Sequence, residues 1–168
     1  MHTGSPMRAF ENELGVQVPA GFWDPLGFTV DGNAASFKRR RSVELKHGRN
    51  CMMAPMGYMT PELTGKWPDF LSPSAGLKFT DIPNGLGAIS KVPALGWAQI
   101  VALFGFTEFS GGFEDYKSGI PGEYGFNFVT SADMTERTKK FAVEIANGRL
   151  AMVSIIGMFF QDDLTGSA

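Results

Sequence analysis

The chain of 168 residues has little of several features that identify common protein classes. It has a single cysteine, Cys51, so an internal disulfide is impossible and zinc sites that need two or four cysteines are excluded. Histidine is scarce as well, since His2 and His47 are the two in the sequence. It contains no glycine-rich phosphate loop, no G-x-S-x-G motif and no H-E-x-x-H motif. The sequence therefore presents no recognisable set of catalytic groups.

Charge is also scarce and nearly balanced. Charged residues make up 19% of the chain, and 15 Lys and Arg against 17 Asp and Glu give a formal net charge of −2. Such a balance provides no global positive field for holding nucleic acid. The basic run Lys38–Arg41 is a local exception, and it leaves open an alternative of a different class, a soluble helical nucleic-acid-binding protein.

A long uninterrupted hydrophobic run is missing, and the mean hydropathy of the chain is close to zero. Apolar residues concentrate in three segments that predict three helices, at about 36–60, 93–110 and 134–162. The first segment has seven charged residues between Lys38 and Arg49. The second is shorter than the ~20 residues that a membrane span requires. By hydropathy alone, a soluble helical domain and a membrane protein are about equally supported.

Long irregular segments join the three predicted helices. Pro61–Pro93 contains five of the ten prolines, and Ser110–Asp133 is rich in glycine. Such loops are unusual in a compact soluble domain, and they suit a protein whose loops cover a ligand or lie on a membrane surface. A further proline, Pro55, lies inside the first helix and is expected to kink or end it.

A self-match at an offset of 100 residues is the most informative feature of the sequence. Val43–Arg49 (VELKHGR) aligns with Val143–Arg149 (VEIANGR), and extension to Gly57 and Gly157 gives six identities in fifteen positions. Composition alone would give about one. The match predicts that the first and third helices are structurally equivalent, whereas the second helix has no counterpart.

The repeated motif E-x-x-[HN]-G-R carries a carboxylate and a guanidinium that cannot easily pair within their own helix. Glu44 and Arg49 are five residues apart, which is about 140° around the helix axis. Two such helices that cross face to face can pair these charges reciprocally, Glu44 with Arg149 and Glu144 with Arg49. The glycine of each motif would let the two backbones approach closely at the crossing.

Paired carboxylates in apolar helices indicate a ligand role. A buried Glu–Arg pair is costly to desolvate and is weak evidence for stability alone, so its presence in an apolar helix suggests a functional site. One oxygen can bond the arginine while the other stays available to Mg²⁺, which prefers oxygen donors. His47 and Asn147 add neutral donors one turn along. A single Glu–Arg pair is usually structural, but both helices carry the whole set, which favours magnesium held by a macrocycle.

The chain resembles the light-harvesting chlorophyll-binding family of algal and plant thylakoids, over nearly its whole length. The segments that carry the resemblance are ELKHGRNCM, EIANGRLAM, GFWDPLGF (Gly21–Phe28), GWAQI (Gly96–Ile100) and GEYGFNF (Gly122–Phe128). The resemblance implies an all-α membrane protein with three transmembrane helices, of which the first and third cross as a pseudo-symmetric pair, and with long irregular loops. Residues 1–168 would form one antenna domain, which is not an enzyme.

The same resemblance implies a set of pigment ligands. The chlorophyll magnesium ligands would be Glu44, His47, Gln99, Glu108, Glu144, Asn147 and Gln161. Arg49 and Arg149 would be their ion-pair partners, and the only metal would be the magnesium of chlorophyll. The second helix departs from the family pattern, because Gln99 and Glu108 are nine residues apart where green-plant proteins have eight. The second helix also has no arginine after Glu108 that could neutralise this carboxylate.

The short second helix and the GFWDPLGF and GWAQI segments are most similar to the chlorophyll a/c antennae of algae with red-type plastids. Such a protein would bind chlorophyll a, chlorophyll c and carotenoids (fucoxanthin or peridinin, with a diadinoxanthin-like companion). It would be a multi-pass protein of the chloroplast thylakoid membrane and would transfer excitation energy to a photosystem. Its partners would be the photosystem core, neighbouring antenna subunits and thylakoid lipids, with no nucleic acid.

A second function within the same superfamily stays open, that of a photoprotective antenna that dissipates excitation energy. Carboxylates on the lumenal side would then sense protons. The candidates for this role are Asp69, Asp81, Asp162 and Asp163. Acidic residues of this kind are more often solvated carboxylates in loops than proton sensors.

Overall fold

In a computed structural model of the protein, residues 10–110 and 134–166 are described. These residues contain four α-helices, α1 (Ala34–Leu63), α2 (Gly87–Lys91), α3 (Ala94–Phe109) and α4 (Met134–Thr165). Helices α1, α3 and α4 lie where the sequence predicts its three helices, and α1 and α4 extend slightly beyond the expected ends. The glycine-rich stretch 111–133, with the segment Gly122–Phe128, lies outside the described residues.

Helix α1 begins at an asparagine cap and continues through its internal prolines. The Oδ1 atom of Asn33 accepts hydrogen bonds from the backbone N–H groups of Ala35 and Ser36 at 3.0 and 3.3 Å, which satisfies donors of the first turn. Of the two effects expected of Pro55, an end of the helix is wrong, because α1 runs on to Leu63. Pro55 is buried in the packed part of the helix, so tertiary contacts hold α1 through the missing backbone hydrogen bond.

Helices α1 and α4 form the main helix–helix contact of the described residues. At their closest approach, a Cβ atom placed on Gly48 would lie 3.0 Å from the Cα atom of Gly148, and the reverse distance is the same. Glycine thus sets how closely the two backbones approach. The N-terminal halves of both helices line one pocket, and Tyr58 and Asp162 join their C-terminal ends. The two helices therefore run in the same general direction.

Burial follows the same order along both helices. Leu45 and Ile145 are buried three residues before the contacting glycines, and Pro55 and Ile155 are buried seven residues after them. These pairs have the offset of 100 residues that separates the two sequence motifs. The sequence repeat thus corresponds to equivalent packing positions on α1 and α4.

Most large apolar side chains of the described residues lie on the surface, and α3 is the clearest case. None of its residues is buried, and Val101, Phe104 and Phe106 are 68%, 64% and 72% exposed. Helix α3 also makes few contacts with the other described helices. An apolar surface of this kind has to be covered by lipid, by a bound apolar molecule or by another protein.

One helix of the described ranges, Thr135–Thr165, is long and apolar enough to cross a membrane by its own composition. Helix α3 is apolar but has 16 residues, so it is about 24 Å long against a hydrocarbon core of about 30 Å. Helix α1 has 30 residues, but its seven charges between Lys38 and Arg49 lower its hydropathy.

The connection between α1 and α3 contains local structure that the sequence analysis missed. Its elements before α2 are strand β1 (Phe70–Ser72), a 3₁₀ turn (Pro73–Ala75), strand β2 (Leu77–Lys78) and a second 3₁₀ turn (Phe79–Asp81). The strands pair antiparallel but are too short to show an alternating pattern. The indole N–H of Trp97 donates to the carbonyl of Ile89 at 3.2 Å and ties α3 to α2.

Candidate functional site

Two ion pairs join α1 and α4 across the glycine contact. The Nε atom of Arg49 lies 2.5 Å from Oε1 of Glu144, and the Nε atom of Arg149 lies 2.7 Å from Oε1 of Glu44. The repeat predicts this reciprocal pairing, and both pairs are present with the same atom types. All four side chains are between 25% and 45% exposed, so the pairs remain reachable from the surface of the helix pair.

Glu44 also bonds a second cation, which the sequence analysis missed. Arg41 lies one turn earlier on α1, and its Nη1 atom is 2.5 Å from Oε2 of Glu44. An i, i+3 spacing brings two side chains together on one helix face. The equivalent position of α4 is Phe141, so Glu144 lacks this second guanidinium. Within the described residues, Oε2 of Glu144 accepts no hydrogen bond.

A segment that precedes α1 closes over the Glu44 side of the crossing. The Nη1 atom of Arg149 donates to the carbonyl of Gly15 at 2.6 Å, and Nη2 of Arg41 donates to the carbonyl of Leu14. Gly15 has a φ of +98°, and a Cβ atom there would lie 2.9 Å from Arg41 and 3.0 Å from Arg149. The backbone conformation therefore favours glycine at this position, and a Cβ atom would also displace the two guanidinium groups.

His47 and Asn147 occupy equivalent exposed positions beside the two glutamates. The Nδ1 atom of His47 lies 2.9 Å from the carbonyl oxygen of Val43, and the side-chain amide of Asn147 donates to that of Val143 at 3.0 Å. A carbonyl only accepts, so the neutral imidazole carries its proton on Nδ1 and keeps Nε2 as an acceptor. Bonds of this kind orient metal-binding side chains.

The other three candidate ligands lie away from the two ion pairs at the crossing of α1 and α4. Glu108 is exposed near the end of α3, and its Oε2 atom is 2.9 Å from Nζ of Lys46 on α1. Gln99 is exposed on α3, and Gln161 is exposed near the end of α4. Gln161 follows the crossing glycine of α4 by 13 residues, which is about 20 Å along the helix. The structure therefore distributes the candidates over the surface of the three long helices.

One of the four acidic residues considered as proton sensors is buried. Asp162 is 8% exposed, and its Oδ2 atom accepts hydrogen bonds from the hydroxyl of Tyr58 at 2.5 Å and the backbone N–H of Leu86 at 2.6 Å. It thereby joins α4, α1 and the loop before α2. Asp69, Asp81 and Asp163 are exposed.

The basic run at the start of α1 is used inside the protein. The guanidinium of Arg40 lies over the ring of Phe28, 5.1 Å from its centroid, and donates to the carbonyl of that residue. The guanidinium of Arg41 lies 5.2 Å from the ring centroid of Phe37 and also bonds Glu44. Two of the four basic residues therefore hold the preceding segment and the crossing, which weakens the nucleic-acid alternative.

Asp24 caps the turn inside that preceding segment. Its Oδ2 atom accepts hydrogen bonds from the hydroxyl of Thr29 at 2.6 Å and the backbone N–H of Thr29 at 2.8 Å. Its Oδ1 atom accepts one from the backbone N–H of Phe28 at 3.0 Å. These bonds favour the ionised carboxylate, and the Thr29 hydroxyl contributes most to lowering the pKa of Asp24 below its ordinary value.

The candidate ligands do not form a metal cage. In residues 10–110 and 134–166, no group of three or more His, Cys, Asp and Glu side chains could hold a metal ion. Each candidate instead presents its own donor at the surface, and Glu44, Glu108 and Glu144 each have a cation from another helix. This donor set would fit a magnesium ion that a macrocycle already holds, because a single oxygen or nitrogen donor from the protein would then suffice.

Comparison with known proteins places the chain among its relatives. The family described as Chlorophyll A-B binding protein matches residues 10–163. Fucoxanthin-chlorophyll a-c binding protein F of Macrocystis pyrifera is 42% identical over 163 residues, covering 94% of this chain and 76% of the relative. Fucoxanthin-chlorophyll a-c binding protein A of Phaeodactylum tricornutum is 41% identical over 161 residues, covering 93% and 81%. Both relatives are named as chloroplastic.

The family match extends over every element that forms the candidate site. It includes the segment before α1, the crossing of α1 and α4, helix α3, and Gln161. The chain belongs to the chlorophyll a/b-binding family, whose members are membrane-bound light-harvesting antenna proteins and not enzymes.

Proposed function

We propose that the chain is a chlorophyll a/c antenna that holds chlorophyll a, chlorophyll c and fucoxanthin in the thylakoid membrane and transfers excitation energy to a photosystem. The relatives at 41% and 42% identity are named for these three pigments, which favours fucoxanthin over peridinin. Residues 1–168 then form one pigment-binding domain. Its partners are a photosystem core, neighbouring antenna subunits and thylakoid lipids.

The reciprocal ion pairs at the crossing carry this proposal. Each of Glu44 and Glu144 is neutralised by an arginine of the other helix. Glu144 can then give its second oxygen to the magnesium of a chlorophyll, with little net charge left in an apolar environment. Both oxygens of Glu44 bond arginines, and this carboxylate can give a remaining lone pair. The matched ion pairs, glycine contact and burial support a pseudo-twofold relation between α1 and α4, with one such ligand on each helix.

The remaining proposed ligands all lie at exposed positions, where a macrocycle can approach from outside the helix. They are His47, Gln99, Glu108, Asn147 and Gln161. His47 offers Nε2, and the amides and the carboxylate offer oxygen. Chlorophylls at these positions would cover apolar surface of the helices. The largest stabilisation by such burial is expected at α3, whose phenylalanines are exposed.

Three spans, α1, α3 and α4, follow from the same proposal. Of the seven charges in the first half of α1, the four at Arg41, Glu44, Lys46 and Arg49 are in ion pairs, so α1 is less costly to place in a membrane than its hydropathy indicates. The N-terminal ends of α1 and α4 lie together and both carry basic residues. By the positive-inside rule, we assign both ends to the stroma.

Pigment analysis of the native protein tests the proposal. After purification in a mild detergent, we expect chlorophyll a, chlorophyll c and fucoxanthin to elute with the chain. Excitation of fucoxanthin should then produce chlorophyll a fluorescence. Chlorophyll b in place of chlorophyll c would overturn the a/c assignment, and a colourless native protein would overturn pigment binding.

A further inference from the structure

Glu108 is the one ionisable residue of α3, and its neighbours on that helix are apolar. Phe104, Phe106 and Phe109 are all more than half exposed, so the carboxylate stands in a surface suited to lipid or pigment. An isolated ionised carboxylate is costly in such surroundings unless a counter-charge is close. Helix α3 itself offers no cation.

The counter-charge comes from α1. The Nζ atom of Lys46 lies 2.9 Å from Oε2 of Glu108, across 62 residues of sequence. Lys46 lies inside the first repeated motif, but its counterpart in the second motif is Ala146. The equivalent packing of α1 and α4 therefore does not explain a cation at this position, whereas the carboxylate on α3 does.

The geometry at Glu108 matches the geometry at Glu144. In each case one carboxylate oxygen bonds a cation that belongs to another helix, Lys46 for Glu108 and Arg49 for Glu144. In the part of the chain that the structure describes, the second oxygen of each carboxylate accepts no hydrogen bond. Either cation therefore neutralises its carboxylate through one oxygen and leaves the other oxygen available.

We propose that Lys46 is a positioning residue that supplies Glu108 with the positive charge that arginine supplies at the crossing. The bond from Lys46 to Oε2 of Glu108 leaves Oε1 for the magnesium of a chlorophyll held between α1 and α3. The inference rests on the proposed function, because it requires Glu108 to bind chlorophyll.

The inference is tested by substitutions that distinguish the positive charge of Lys46 from its role as a link between α1 and α3. Each variant is reconstituted with chlorophyll a, chlorophyll c and fucoxanthin, and pigments per chain are measured by chromatography. Lys46→Met removes the charge but keeps the apolar stem, and we expect one chlorophyll to bind roughly 10–100-fold more weakly. Lys46→Arg should keep that chlorophyll.

The double variant Lys46→Met with Glu108→Gln is the decisive case. A glutamine offers an oxygen donor that needs no counter-charge, so the double variant should recover the chlorophyll lost in Lys46→Met. If Lys46 acted merely as a tether between α1 and α3, the double variant would remain deficient, and that result would overturn the inference. Full chlorophyll content in Lys46→Met would overturn it as well.

Two controls separate this inference from the proposed function. A wild-type chain that takes up no chlorophyll in the reconstitution overturns both. A fully pigmented Glu108→Ala variant overturns the inference alone, since Glu108 would then bind no chlorophyll. If Lys46→Met fails to fold, Lys46→Arg and the double variant decide the question: full pigment in both supports the inference, and a deficit in either contradicts it.

Discussion

The two halves of the helix crossing have the same centre and different surroundings. In each half an arginine Nε bonds a glutamate Oε1 on the other helix, at 2.5 and 2.7 Å. Glu44 also has Arg41 and a covering segment whose carbonyls accept from both arginines. Glu144 has Phe141 in the place of Arg41. The repeated residues thus set the geometry of the ion pairs, and unrepeated neighbours determine how firmly each glutamate is held.

At the C-terminal ends of the same helices, the additional contacts belong to α4 and not to α1. Asp162 of α4 is buried and accepts hydrogen bonds from Tyr58 and Leu86. Glu62, at the equivalent position of α1, is exposed. One connecting segment therefore reinforces the crossing near the start of α1, and another reinforces it near the end of α4. Four sets of variants test these differences.

Removal of the arginines should have the largest effect and should expose the difference between the halves. Arg49→Leu leaves Glu144 without its partner, and we expect a loss of about 3 kcal/mol in stability. Arg149→Leu leaves Glu44 with Arg41, so the loss should be about half as large. Thermal unfolding of the detergent-solubilised, pigmented protein measures both. Equal losses would show that Arg41 gives no compensation.

Substitution of Gly48 tests the close backbone contact between α1 and α4. In Gly48→Ala the new Cβ would meet backbone of Gly148 at 3.0 Å, which cannot move aside as a side chain can. We expect a loss of about 1–3 kcal/mol in the same unfolding experiment. Gly57→Ala is the matched control on the same helix, because nothing lies within 4 Å of its Cβ position. The control should be neutral or up to about 1 kcal/mol more stable, and equal behaviour of the two variants would contradict the close contact.

The buried carboxylate at the other end gives a smaller expected effect. Asp162→Ala removes the acceptor of Tyr58 and Leu86, which should cost about 1–2 kcal/mol and speed hydrogen exchange at the Leu86 amide. Asp163→Ala changes the exposed neighbour and serves as the control. Unchanged exchange at Leu86 in Asp162→Ala would show that the loop before α2 is held by other contacts.

Acidification should give the smallest effect, confined to the segment before α1. Hydrogen bonds from Thr29 lower the pKa of Asp24 in the folded protein. Its contribution to stability is thus complete above the unfolded pKa of about 3.9 and is lost as the pH falls through the lower folded pKa. Wild type should lose this contribution below about pH 4, and Asp24→Asn should not. The difference in unfolding midpoint between the two proteins, followed against pH, measures it, and a constant difference would contradict the role of Asp24.

The sequence predicted the centre of the crossing because that part depends on residues that occur twice. A carboxylate and a guanidinium that cannot pair on one helix must find partners on another, so the repeat itself predicted the partners of Glu44 and Glu144. The pairing of Lys46 with Glu108 and the burial of Asp162 depend on how unrepeated segments fold. No local spacing encodes them, and both were missed.

Hydropathy does not register the pairing of charges on α1, for a related reason. A window that counts charges one by one treats Glu44 and Arg49 as exposed to lipid, whereas the structure pairs each with α4. Pro55 does not end α1, because tertiary packing supports the helix where its backbone hydrogen bond is missing. The short strands before α2 left no pattern to detect.

A cryo-electron microscopy map of the pigmented protein would show whether the paired glutamates bind chlorophyll magnesium. We predict a chlorophyll magnesium about 2.1 Å from a carboxylate oxygen of both Glu44 and Glu144, with the ion pairs to Arg149 and Arg49 intact. A map in which the ion pairs persist but no magnesium lies within bonding distance of either carboxylate would contradict the account.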